Sequence, residues 1–76
     1  MGMPAVMIRE LEALARIMTE TTSDGQRRVL LDQAGMIQRA SERTVSEEAD
    51  RADVRRNFEA VCLLDATLAD REHATR

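Results

Sequence analysis

Apolar residues recur every three or four positions through most of this 76-residue chain, and the rhythm stops only twice, at Thr21 to Gly25 and at Thr44 to Glu48. Spacings of three and four place side chains on one face of an α-helix, and no stretch alternates apolar and polar residues with the period of two that a strand requires. The two interruptions divide the chain into helices over about 4–21, 24–43 and 47–71, with the tail 72–76 expected to fray. Short connections favour antiparallel neighbours. The expected fold class is therefore all-α, a three-helix antiparallel bundle forming a single domain over 1–76.

Local signals place the helix ends. Pro4 suits a first helical turn, where its missing N–H costs nothing. Ser23 followed by Gln26 has capping-box spacing, as does Thr44 followed by Glu47, with Ser46 an alternative cap. Glu47, Glu48 and Asp50 would sit in the first turn of the third helix, where the helix dipole favours negative charge. At 100° per residue, Met7, Leu11, Leu14 and Met18 form one stripe on the first helix and Val6, Ala13 and Ile17 a second beside it. The second helix is expected to bury Val29, Leu30, Ala34, Met36, Ile37 and Ala40, leaving Leu31 and Gly35 outside that face. The third is expected to bury Val54, Phe58, Val61, Leu64 and Leu68, with Cys62 and Ala69 at the edge and Leu63 outside it. Asp65 falls inside the third helix's apolar arc, where a carboxylate must find a partner or water. It reads either as a surface-reaching aspartate or one paired with an arginine of another helix, or as a polar specificity device at an interface.

Composition excludes several classes of function. One cysteine, Cys62, rules out an intrachain disulfide, and one histidine, His73, rules out a Cys/His zinc site. Cys62 reads as a small core hydrophobe and His73 as a solvated surface residue. The acidic stretch Glu47 to Asp53 lacks the spacing and central glycine of a calcium loop. It interleaves with Arg51, Arg55 and Arg56, so helix capping and i,i+4 pairs such as Glu47–Arg51 and Arg55–Glu59 are expected there. Gly2, Gly25 and Gly35 are isolated and form no phosphate-cradling loop. No catalytic, cofactor-binding or metal-ligating residue is assigned, and no enzyme activity, cofactor or small-molecule ligand is expected. A net charge of −3, with acids flanking Arg27-Arg28 and Arg55-Arg56, argues against nucleic-acid binding. The longest uncharged run, Met1 to Ile8, falls far short of the roughly 20 apolar residues a membrane span needs, and no basic n-region precedes an apolar stretch, so a cytoplasmic location is expected.

Association is the stabilising device left. A chain this short buries only about 60% of the surface its unfolded form exposes. Phe58 is its only aromatic residue. The first helix is apolar over more than half its circumference, broken only by Glu10, which is more than a helix on the outside of a bundle needs. Val6, Ile17, Leu31 and Leu63 are the candidate self-association residues and Asp65 the candidate interface polar group. A homodimer that packs into a larger helical bundle is expected.

Three stretches carry a family resemblance: Pro4 to Arg9 with Leu11 to Ala15, Arg28 to Ala34 with Met36-Ile37, and Ala49 to Arg55. In order they read as a leucine/alanine-rich helix, an "R-x-LL-x-QA-x-x-I" helix and "E-x-ADRA-x-V-x-R". Together they resemble the C-terminal soluble region of a family of predicted bacterial integral membrane proteins of unknown function. The resemblance implies a cytosolic helical domain that follows a transmembrane part, on the inner-membrane side. It transfers no catalytic residue. Two departures are Ser46-Glu47-Glu48, where the family pattern has a proline-containing link, and the missing membrane part, which leaves an excised domain and a free-standing relative both open. Function is thus expected to be that of a protein-interaction and oligomerisation module. The alternatives are a small acidic regulator that binds another protein's helix, and an enzyme or metal-binding domain with a cryptic site.

Overall fold

The computed structural model describes residues 2–21 and 23–74, and among them all regular structure is helical. Helices α1 (Met3–Thr19), α2 (Asp24–Thr44) and α3 (Glu48–Ala74) follow one another with short connections. All three pack against each other in a bundle of 45 × 16 × 16 Å. Ile17 of α1 lies beside Val29 of α2, and Glu10 and Ala13 beside Gln33 and Met36, so these two helices are antiparallel. Arg27 reaches Glu72 while Glu42 reaches Arg55, so α2 and α3 are antiparallel as well.

The ends form largely for the reasons the sequence supplies. Pro4 sits in the first turn of α1. Ser23 caps α2, its hydroxyl oxygen accepting from the Gln26 N–H at 3.4 Å. Thr44, expected as a cap for the third helix, is the last residue of α2 and donates its hydroxyl to the Ala40 carbonyl. The α2–α3 turn is held instead by Arg51, which donates from Nη1 to the carbonyls of Val45 (2.7 Å) and Ser46 (2.9 Å) and from Nη2 to Glu48 (2.7 Å). A cation beside the C-terminus of α2, on the carbonyls of its cap residue Val45 and of Ser46, complements that end of the helix dipole. Helix α3 runs to Ala74, three residues past the expected end, with Arg27 bonded to Glu72 in that last stretch, and Thr75 and Arg76 lie outside the described residues.

The core is Met7, Leu11, Met18, Ala34, Val45, Val54 and Val61, with Phe58, Leu64, Leu68, Leu30 and Ile37 packed around it. Helices α1 and α3 bury the stripes expected of them. Helix α2 is turned from its expected face. Its most buried line is Arg27, Ala34 and Ser41, spaced by seven, with Gly35 also buried. Val29 and Met36, expected inside, are 55% and 62% exposed, while Leu31, expected outside, packs against the core. A guanidinium and a hydroxyl therefore lie where hydropathy asks for hydrocarbon. Each is satisfied locally, Ser41 by donating to the Gln38 carbonyl at 2.7 Å and Arg27 by carboxylates. Burial of polar groups is tolerated on that condition.

Candidate interaction surface

Polar chemistry is concentrated at the two ends of the α2–α3 pair. At one end Arg27, only 2% exposed, extends its guanidinium toward the last turns of α3. Both Nη atoms donate to the Glu72 carboxylate, at 2.7 and 2.8 Å, in the two-pronged geometry that makes arginine–carboxylate pairs strong. Nη2 also meets Asp24, and Nε lies 3.8 Å from Asp65. The hydrogen bonding to Glu72, opposed by desolvation and aided by the surrounding carboxylates, holds the Arg27 guanidinium above its ordinary value. Asp65, the carboxylate inside an apolar arc, is thus paired with an arginine of another helix within the same chain. Sequence reasoning missed Arg27, although its spacing of seven from Ala34 and of fourteen from Ser41 was there to be read.

At the other end Glu42 and Glu48 receive Arg51 and Arg55. Arg55 Nη2 lies 3.0 Å from Glu42 and 3.5 Å from Glu48. The pairs expected along α3, Glu47–Arg51 and Arg55–Glu59, give way to these, because the end of α2 offers a carboxylate and two carbonyls in reach. Hydrogen bonds and charge from Arg51, then Arg55, hold the Glu48 carboxyl below its ordinary value. Among the described residues every buried side-chain nitrogen and oxygen has a hydrogen-bond partner. These charges tie helices together. Cys62 is partly buried, and burial followed by nearby Asp65 and Glu59 pushes its thiol up, away from the reactive thiolate. Among the described residues no three His, Cys, Asp or Glu are grouped to hold a metal.

Apolar surface is concentrated elsewhere, along the open side of the α1–α2 pair, away from α3. Two concavities lie end to end there. One, of about 410 Å³, is lined by Glu10, Ala13, Leu14, Gln33, Met36 and Ile37, and the other by Ile17, Thr21, Gln26, Val29 and Leu30. Val6 (39%) and Ile17 (49%) are exposed on the α1 side, as the second stripe of that helix implies. Val29 and Met36 join them from α2, which is where the rotation of that helix places them. The other two candidates part company. Leu31 packs against the core and borders a polar concavity beside Arg27 and His73. Leu63, 70% exposed, lies roughly 200° around α3 from buried Val61 and so points away from the bundle on its own. An isolated exposed leucine is ordinary on a monomer, whereas Ile17, Val29 and Met36 line concavities that lie end to end.

Among the described residues no helix is long and apolar enough to cross a membrane. Comparison with protein-family models, curated proteins and solved structures finds no match to this chain.

Proposed function

We propose that this chain is a helical protein-interaction module that associates with itself through the α1–α2 face. The observation that carries the proposal is the apolar groove flanked by Val6, Ile17, Val29 and Met36, all exposed on one side of the bundle. Fully burying such a side chain is worth about 1.5–3 kcal/mol relative to leaving it in water, and a chain of this size has little stability to spare. The commitment of its polar side chains to interhelical ion pairs supports a structural role over a catalytic one. The resemblance to the soluble tails of integral membrane proteins extends the proposal: in such a parent the module sits on the cytoplasmic side and its self-association pairs the anchors.

The test is light scattering on the purified chain beside two variants, Val29→Glu with Met36→Glu, and Leu63→Glu. All three positions are exposed, so the fold survives substitution. The expected result is a dimer for the parent chain and for Leu63→Glu, and a monomer for the α2 double variant. A monomeric parent, or dissociation caused only by Leu63→Glu, would contradict the proposal.

A further inference from the structure

The open face carries a pattern more regular than its hydrophobicity. On α1 and its C-cap, Met3, Val6, Glu10, Ala13, Ile17 and Glu20 share the side of the helix that faces the groove, spaced by alternating steps of three and four. On α2 the corresponding line is Gln26, Val29, Gln33, Met36, Ala40 and Arg43, with the same spacing and with Ala40 at the edge, where it also packs against the core. Alternating steps of three and four make a straight seam along a helix, the pattern on which another helix packs. All twelve side chains are exposed or half-buried. Helix α1 therefore has two seams, one spent on the core and one unspent, and α2 matches the unspent one in length.

Resting on the reading that the domain self-associates through this face, we infer that the partner is a second copy, turned by a two-fold axis that crosses the middle of the groove at right angles to the helices. Helix α1 then lies antiparallel on the partner's α1 and α2 on the partner's α2, making a four-helix layer with the two α3 helices outside. Three features select this arrangement. A seam with this alternation is unchanged by end-to-end reversal, so the two-fold superposes knobs on holes: position 6 meets 17, 10 meets 13, 29 meets 40 and 33 meets 36. Each seam covers about 26 Å, and two helices side by side span about 20 Å, a footprint of about 520 Å² per copy that matches the smaller specific interfaces. One docked helix would fill only part of it.

Charge decides between this axis and the alternative that runs along the helices. Glu20 lies at the same end of the face as Gln26, and Arg43 at the end that holds Met3. An axis along the helices would gather both copies of Glu20 at one end and both copies of Arg43 at the other. The crosswise axis instead sets Glu20 diagonally beside Arg43 of the other copy, twice, and brings Glu10 toward Gln33 of the other copy. The two Glu10 side chains then flank the axis, each with Gln33 of the other copy in reach, while the ends of the face carry the opposite charges whose pairing fixes register in an interface.

Cross-linking tests the register on a Cys62→Ser background, which leaves no other thiol. Chains carrying Val6→Cys are mixed with chains carrying Ile17→Cys, and separately with chains carrying Ala40→Cys, and oxidised, while light scattering reports the mass of the parent chain. The expected result is a dimer whose 6–17 mixture cross-links and whose 6–40 mixture does not, since a disulfide requires Cβ atoms about 3.5–4.5 Å apart. Arg43→Glu should raise the dimer dissociation constant about fivefold, and adding Glu20→Arg should restore it. Cross-linking of 6–40 alone would overturn the crosswise two-fold and leave association through this face standing. A dimer that cross-links in neither mixture would overturn the face, and a monomeric parent would overturn self-association itself.

Discussion

Arg27 shows how a single residue can invert what a pattern says. A buried guanidinium is costly unless several partners surround it, and here Glu72, Asp24 and Asp65 do so. Its reach to Glu72 also carries α3 three residues beyond its expected end. Hydropathy marks Arg27 as solvent-facing, and no local rule tells a snorkelling arginine from one folded into an ion cluster. Asp65 was the legible half of the pair, because a carboxylate inside an apolar arc demands a partner; which arginine supplies it follows only from how α2 and α3 lie together. The expected consequence is that Arg27→Met lowers the melting temperature by several degrees and speeds amide exchange over Leu68 to Ala74, whereas Arg28→Met, at an exposed site, changes neither. Equal stability of the two variants by thermal melting would show that the cluster does not hold α3.

The elements themselves were the most legible part of the molecule. Two interruptions of the apolar rhythm, each with a helix-stopping composition, mark three helices, and the observed bounds Met3–Thr19, Asp24–Thr44 and Glu48–Ala74 differ from expectation by at most three residues at an end. What the rhythm misjudged was the orientation of α2. Arg27 and Ser41 on the buried line, and Val29 and Met36 off it, shift the apparent apolar face toward the groove, so the same two residues that were misplaced in the core became the α2 half of the interaction surface. The α2–α3 turn was misread for a related reason: Thr44 had cap spacing, but the cation that stabilises the turn comes from Arg51, beyond it. Because Arg51 and Arg55 depress the Glu48 carboxyl, its ionised form is favoured by folding. That contribution is fully present above the ordinary carboxylate value of 4.5 and is lost as pH falls through the lower folded-state value. Denaturant unfolding followed across the acid range is therefore expected to show stability falling with pH, and Glu48→Gln is expected to flatten the fall. An unchanged pH profile in that variant would remove Glu48 from the turn's stabilisation.

At the scale of the whole molecule, the helices enclose a core that, among the described residues, holds seven well-buried hydrophobic side chains, none of them aromatic. That is a thin core, and chains of this size commonly draw on a partner for stability. The fold class was readable because periodicity survives errors at individual positions; the exposed groove was only half readable, since Val6 and Ile17 lie on a stripe that α1 displays in its own sequence while the α2 contribution depends on packing. Leu31 and Leu63 failed to join it because distance from an expected helix face does not say which way the residue points. The central claim, self-association through the α1–α2 face, makes folding and dimerisation one linked equilibrium, so stability must rise with concentration. The most direct measurement is thermal unfolding followed by circular dichroism from about 1 to 100 μM chain, with mass read by light scattering at the upper end. Self-association through this face gives a melting temperature that climbs steadily over that range and a mass of twice 8.5 kDa. A melting temperature independent of concentration, with a mass of 8.5 kDa at the upper end, would contradict it.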